Sequence, residues 1–262
     1  MDRAVICVAG KGSRMNPITK IIAKELLPLG TRPVLDFIVD EAVASGVRKI
    51  LFIINSDKKS IPLYFSEVVP EDYNISGKFY PLQGREGVQA AYVYQDEPKG
   101  TGDAVRLAEK FCEGLPFGLM YGDDITESDT PCLAQLAALS KKMSDASVLV
   151  VQRQPPELAA LYSTVVSKDF NGSYGKVDEL NEKMDPDKIK SDLTSFGRYV
   201  LNKDIFEYIN KVELRKGEYY LTDALALLSR DKDVYAYLFD GVRYDTGNPR
   251  GYADTFKKLC GF

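Results

Sequence analysis

"RAVICVAGKGSRMNPITKIIAKELLPL" (residues 3–29) decides how the chain folds. Residues 3–9 form a nearly unbroken apolar run that ends at two glycines one residue apart, Gly10 and Gly12. An apolar run without alternation is the pattern of a strand buried on both faces of a parallel sheet. Glycines directly after such a strand let the backbone approach a phosphate closely. Three loop types use that property. A Walker A loop needs G-x-x-x-x-G-K-[ST]; here Lys11 lies between the glycines and no GK[ST] follows. A dinucleotide fingerprint needs a third glycine and a helix; Met15 takes the glycine position and Pro17 stands where the helix would run. After the next apolar run, Asn55, Ser56 and Asp57 offer no clear ribose-binding acid. The remaining type wraps a nucleoside triphosphate with backbone N–H groups. There Arg14 supplies a forked, permanent cation and Pro17 does no harm.

Outward from this loop the chain alternates. Apolar strands are expected at 3–9, 48–54, 90–95, 117–121 and 146–152. Helices are expected at 33–46 with Gly46 as the stop, at 57–65 despite Pro62, at 102–111 and at 130–143. Continuous strands separated by helices predict an α/β fold with a mostly parallel sheet covered on both faces. Ligands then bind at the C-terminal edge of the strands. The Gly10–Arg14 loop, Gln95 and Gly122–Asp124 all follow strand ends and can converge there. Beyond about 155, short strands ("LYSTVVS", "GKVDELNEK", "SFGRYVL"), helices at 203–211 and 219–229, two strands ("VYAYLF", "VRYD") and a helix near 250–259 predict a mixed sheet extension or a small second lobe.

Composition narrows the chemistry. The 262 residues carry 34 basic and 38 acidic side chains, a formal charge of -4 with both signs scattered, which predicts neither a nucleic-acid nor a membrane-binding surface. The apolar run at 4–9 is too short for a signal segment or a membrane span, so a soluble, cytoplasmic protein is expected. Cys7, Cys112, Cys132 and Cys260 lie far apart without a CxxC and read as reduced structural thiols. There is no histidine. Imidazole acid–base chemistry and histidine-ligated zinc are therefore excluded. What remains is a substrate that is already a nucleophile, or chemistry by carboxylates, lysines and an oxygen-ligated metal.

At this point the residues carry a resemblance. Residues 9–50, together with "YQDEPKGTGDAV", "YGDD", "NEKM", "GRYVL", "YLTDAL" and "YDTGNPRGY" in that order, resemble the sugar-1-phosphate nucleotidyltransferases. Within these the chain looks most like the bacterial UTP–glucose-1-phosphate uridylyltransferases, with their G-x-G-T-R-x-x-P-x-T-K and P-K-E-[ML]-L-P segments. The resemblance covers most of the chain. It implies one Rossmann-like domain, 1–262, with a mixed, mostly parallel sheet, helices on its flanks and a smaller sugar-binding β extension. The nucleotide half would be about 1–155 and the sugar half about 156–262. It implies Mg²⁺-dependent transfer of uridylyl from UTP to a hexose 1-phosphate, glucose 1-phosphate in first place, giving a UDP-sugar and pyrophosphate, with thymidylyl or other sugar-nucleotidyl transfer or a catalytically silent sugar-nucleotide binder as alternatives. It also implies a homo-oligomer, dimer or tetramer, whose substrates are small molecules.

Residue by residue, the resemblance sets Ala9, Gly10 and Gly12 against the triphosphate and Arg14 and Lys24 on its phosphates. Gln95 and Gly100 would read the uracil. Asp123 and Asp245 would hold Mg²⁺, with Asp123 preferred to its neighbour Asp124. Glu182 would hold sugar hydroxyls, Lys183 the sugar phosphate, and Gly197 would let the backbone approach the sugar. On charge alone Arg14 and Lys24 would read as solvated loop cations, and "EK" as an ordinary surface pair. The match is imperfect at Ser13, at Ala23 (a proline before the lysine is usual), at Asp103 (usually histidine), at Ser163 (usually glycine) and at Met184 (usually proline). A side chain at Ser163 lies where glycine would leave room for the sugar.

Overall fold

The computed structural model describes residues 1–68 and 78–261. The chain begins with strand β1 (Arg3–Cys7) and, after the glycine loop, a short hairpin, β2 (Pro28–Leu29) and β3 (Arg32–Pro33). Then come α1 (Val34–Ala44), β4 (Lys49–Ile54), α2 (Ser60–Ser66), β5 (Tyr80–Pro81) and β6 (Gln89–Tyr94). Next are α3 (Thr101–Arg106), α4 (Glu109–Cys112), β7 (Phe117–Tyr121), β8 (Asp124–Glu127), α5 (Cys132–Lys142) and β9 (Ser147–Arg153). The remainder is α6 (Pro156–Ala159), β10 (Ser163–Val166), β11 (Tyr174–Lys176), β12 (Glu179–Glu182), β13 (Leu193–Leu201), α7 (Asp204–Ile209), α8 (Leu221–Asp231), β14 (Val234–Leu238), β15 (Val242–Asp245) and α9 (Pro249–Cys260).

One sheet runs β11–β14–β9–β13–β7–β1–β4–β6–β5, with β10 and β12 branching from β13. Its centre is parallel: Val5 is opposite Leu51 on one side and Leu119 on the other. Strand β13 enters antiparallel between β7 and β9, so the sheet is mixed. Both faces are buried, which explains the unbroken apolar runs. Val5, Leu51, Ile53 and Leu119 face one core, shared with α3, α7 and α8. Ala4, Ile6, Ile50, Phe52 and Ile54 face the other, shared with α1, α2 and α5.

Local chemistry explains the helix ends. Helix α1 stops in a Schellman turn: Val47 N–H reaches Ala42 O at 3.1 Å and Gly46 N–H reaches Val43 O at 3.0 Å, with Gly46 at φ +90°. Pro62 lies in the first turn of α2, where its missing N–H costs no helical bond. The helix expected at 102–111 is instead two. Leu107 and Ala108 donate to Ala104 and Val105, three residues back, and this tighter bonding separates α3 from α4. The sequence reading also omitted β8. This strand pairs antiparallel with β15, setting Asp245 opposite Asp124.

Candidate functional site

Past β1 the chain leaves the sheet at Val8, whose N–H still donates to Ile53 O at 2.8 Å. Gly12 is left-handed, φ +65°. A Cβ on Gly12 would also lie 3.1 Å from Thr19 Cγ2, so both backbone and space favour glycine. Its carbonyl is tied back, accepting from Met15 N–H at 2.8 Å and Thr19 Oγ1 at 2.9 Å. Gly10, by contrast, has open space above it.

Two buried side chains, Lys58 and Asn55, fix this loop. Lys58 Nζ bonds Glu25 at 2.7 Å and Val8 O at 2.5 Å, while Asn55 Nδ2 donates to Ala9 O at 2.8 Å. The end of β1 is thereby clamped to the segment carrying Lys24. Burial pushes the Glu25 carboxyl up and the Lys58 ammonium down. Lys24 itself is paired with Asp123. Burial alone would lower Lys24, but Asp123 and Glu25 outweigh it and hold it above the ordinary lysine value. Burial likewise opposes ionisation of Asp123, and Lys24 with Arg14 reverses this, holding its carboxyl below the usual value.

Asp123 and Asp245 face one glycine. A Cβ on Gly247 would lie 2.5 Å from Asp123 Oδ2, 3.1 Å from Asp245 Oδ1 and 3.1 Å from Arg14 Nη2. Asp245 also accepts from Gly247 N–H at 2.9 Å and Tyr162 OH at 3.1 Å. The adjacent Asp124 is used structurally. Its Oδ1 is 2.6 Å from Arg243 Nη2 and its Oδ2 accepts from Gly197 N–H at 2.9 Å.

Two cavities meet here. One, about 410 Å³, is lined by Ala9, Gly10, Arg14, Lys24, Gln95, Gly100 and Asp123. The other, about 300 Å³, is lined by Arg14, Asp123, Glu182, Lys183, Gly197 and Asp245. Arg14, Thr101, Tyr121, Asp123 and Glu218 belong to both. Of the residues to which the resemblance gives a role in the site, Gly12 alone lines neither. A larger cavity of about 840 Å³ beside α5 and β14 contains none of them.

Gly100 has φ +92°, and a Cβ there would lie 2.6 Å from Tyr219 O. Gln95 Nε2 donates to Gly100 O at 3.1 Å and to Asp103 at 2.9 Å. In the second cavity, Glu182 Oε2 accepts from Thr222 Oγ1 at 2.8 Å and from Ser163 Oγ. Lys183 Nζ stands 3.8 Å from Glu182 Oε1, and its backbone is left-handed at φ +44°. At Gly197 a Cβ would fall 2.5 Å from Tyr121 Cβ, so glycine is required there by packing as well as by the cavity.

Sequence reasoning missed Arg243, Tyr162, Thr222, Glu25 and Lys58. Arg243 had one available signal: in "VRYD" it lies two residues before Asp245, on the same side of a strand. Its guanidinium stacks over Tyr162 and Phe196 at 4.7 and 5.0 Å.

With the geometry described, the chain can be compared with known proteins. The sequence pattern of the nucleotidyl transferase family matches residues 3–261. The chain belongs to this family. A UTP–glucose-1-phosphate uridylyltransferase of Bacillus subtilis, YngB, is 36% identical over 256 residues, 95% of this chain and 86% of that protein. UTP–glucose-1-phosphate uridylyltransferase 1 of Staphylococcus saprophyticus is 34% identical, over 97% of this chain and 91% of that protein. A crystal structure of a UDP-glucose pyrophosphorylase complexed with UDP-glucose superposes with a TM-score of 0.90 at 28% identity, covering 100% of this chain and 99% of that one. A UTP-bound enzyme of the same kind from Acinetobacter baumannii gives 0.83 at 26% identity, over 98% of this chain and 93% of that one. The mixed α/β sheet expected from sequence is this nucleotidyltransferase fold. Among the described residues, no helix is long and apolar enough to cross a membrane.

Proposed function

We propose that the chain transfers the uridylyl group of UTP to glucose 1-phosphate, giving UDP-glucose and pyrophosphate. The observation that carries this reading is the junction of the two cavities at Arg14 and Asp123, with Gln95 in one and Glu182 in the other. A nucleotide in the first and a sugar phosphate in the second would bring their phosphates together there. The names of the relatives support the choice of UTP and glucose. The division into a nucleotide half (about 1–155), a sugar half (about 156–262), a dimer or tetramer and a cytoplasmic setting belong to the same reading and rest on the family resemblance.

A magnesium ion fits the residues present. Asp123 and Asp245 face the same glycine, and both are hard oxygen donors. Among the described residues no cluster of three or more acidic, cysteine or histidine side chains is arranged to hold a metal, so phosphate oxygens and water would complete the shell. When bound, Mg²⁺ neutralises phosphate charge.

The remaining chemistry falls to side chains. The oxygen of a sugar 1-phosphate is already anionic near neutral pH, so no general base is needed and the lack of histidine costs nothing. Arg14 and Lys24 orient the triphosphate and offset its charge. Lys24, paired with Asp123 before substrate arrives, exchanges that partner for phosphate. Lys183 meets the sugar phosphate, and Glu182 accepts a sugar hydroxyl.

Pyrophosphate release with UTP, dTTP, CTP, ATP and GTP, each against several sugar phosphates, tests the reading. UTP with glucose 1-phosphate should turn over fastest. A preference for dTTP would shift it to thymidylyl transfer. Tight UDP-glucose binding without turnover by any pair would make the chain a silent binder.

Ser163 bears on the sugar. Its hydroxyl occupies Glu182 Oε2, leaving Oε1 for the substrate. Ser163→Gly should free one acceptor position on that oxygen, the other staying with Thr222 Oγ1, for a second sugar hydroxyl and lower KM for glucose 1-phosphate about fivefold, one hydrogen bond's worth. An unchanged or raised KM would show that Ser163 does not compete with the sugar.

A further inference from the structure

We propose that Asp103 is a positioning residue that fixes the Gln95 amide, so that the site takes a pyrimidine with a ring N3–H and rejects cytosine. The proposal rests on the reading that the Gln95 cavity holds the base.

A primary amide nitrogen has two hydrogens. In Gln95 both are spent, one on Gly100 O at 3.1 Å and one on Asp103 Oδ2 at 2.9 Å. A backbone carbonyl only accepts, and so does an ionised carboxylate. Turning the amide over would set Oε1 against two oxygens at once. The orientation of the amide is thus dictated by its partners. Oε1 bonds no protein group among the described residues, yet it is not sealed from solvent, and Gln95 lines the cavity. The amide therefore presents an acceptor and nothing else. Gly100, also in the cavity wall, has an N–H with no protein acceptor among the described residues.

One acceptor beside one donor suits uracil, whose N3–H donates and whose O4 accepts. Cytosine carries the opposite pattern, a bare N3 and an amino group. Each contact would then oppose like with like, and unmatched polar groups in a closed site reject strongly. Thymine shares the uracil edge, so this device leaves UTP and dTTP to be separated elsewhere. The departure from the family's usual histidine matters here. An imidazole can offer a donor or an acceptor to the amide, whereas a carboxylate offers only acceptors.

The plain alternative is a helix-start acid. Asp103 lies in the first turn of α3, 3.5 Å from Arg106 Nη1. Such a role would affect stability and leave base choice alone.

The experiment measures kcat/KM for UTP and CTP with glucose 1-phosphate and magnesium in wild type, Asp103→Ala and Asp103→Asn. Calorimetric titration of the same nucleotides reads the ratio without turnover. Wild type should favour UTP over CTP by at least about a hundredfold. Asp103→Ala should shrink that ratio at least about tenfold, through a raised KM for UTP and a lowered one for CTP, with kcat at saturating UTP nearly unchanged. Asp103→Asn should restore the ratio, because its amide oxygen accepts the same N–H. An active Asp103→Ala enzyme with the wild-type ratio and only a lowered unfolding temperature would overturn the assignment and leave the proposed activity standing. A wild-type protein that neither binds nor turns over any nucleotide would overturn both.

Discussion

Asp245→Ala is expected to lower kcat/KM by at least about a thousandfold, the scale of removing a group that stabilises charge at a reacting phosphate, while the protein stays folded. Asp245 and Asp123 face one glycine, and Arg14 reaches the same place. With a single carboxylate, magnesium would have to rely on Asp123, which Lys24 already pairs. Stability should change by no more than about 1 kcal/mol, because what is lost is one hydrogen bond each to Tyr162 and Gly247 and a long ion pair, 3.7 Å, to Arg243, and repulsion of Asp123 and Asp124 is relieved in return. Arg243 keeps its ion pair with Asp124. The checks are steady-state kinetics over a magnesium titration and unfolding by heat. The apparent magnesium requirement should rise along with the loss of rate. A folded variant within about tenfold of wild type would overturn the metal role proposed for Asp245.

The parts of this fold that could be read from sequence are those whose pattern is set by local burial. Residues 3–9, 48–54, 117–121 and 146–152 are mostly apolar because the strands they contain are covered on both faces. Strand β8, "DITE", carries no local signal because it is four residues long, three of them polar, and stabilised by β15 from more than a hundred residues away. The insertion of β13 between β7 and β9 is likewise a non-local pairing that no local pattern encodes. At the candidate site, motif order picked out the glycine loop, Gln95, Asp123, Glu182 and Asp245, all of which contribute to the walls of the two joined cavities. The preference for Asp123 over Asp124 rests on the resemblance alone; the physical difference lies in partners, since Arg243 and the Gly197 N–H occupy Asp124, whereas Asp123 pairs with Lys24 and lines both cavities. Glu25, Lys58 and Arg198 escaped notice for the same reason. Each is explained by a contact partner that folding brings from elsewhere.

Arg198 shows how much such a partner can matter. It sits in "GRYVL", yet the motif gives it no role, and in the structure it is fully buried. Its guanidinium bonds Glu41 at 2.7–3.0 Å and donates to Gly197 O at 2.8 Å and Asp124 O at 2.5 Å. Arg198→Met would leave the Glu41 carboxylate buried with only Thr126 Oγ1 and Leu133 N–H, and would strand those carbonyls. The expected cost is about 3–5 kcal/mol, the range for breaking a buried ion pair from one side. Adding Glu41→Leu should recover part of it by removing the unpaired charge, but not all, because the carbonyls of Gly197 and Asp124 stay unsatisfied. Denaturant unfolding of the two single variants and the double variant measures this. A loss below about 1 kcal/mol in Arg198→Met would mean that the guanidinium is not needed to hold these segments together. Arg198 also donates to Tyr121 O at 3.3 Å, and Tyr121 and Asp124 flank the turn that carries Asp123, so the destabilised variant should also need more magnesium for the same rate, at temperatures where it is still folded. A variant that is less stable but has an unchanged magnesium requirement would separate the buried pair from the site it underlies.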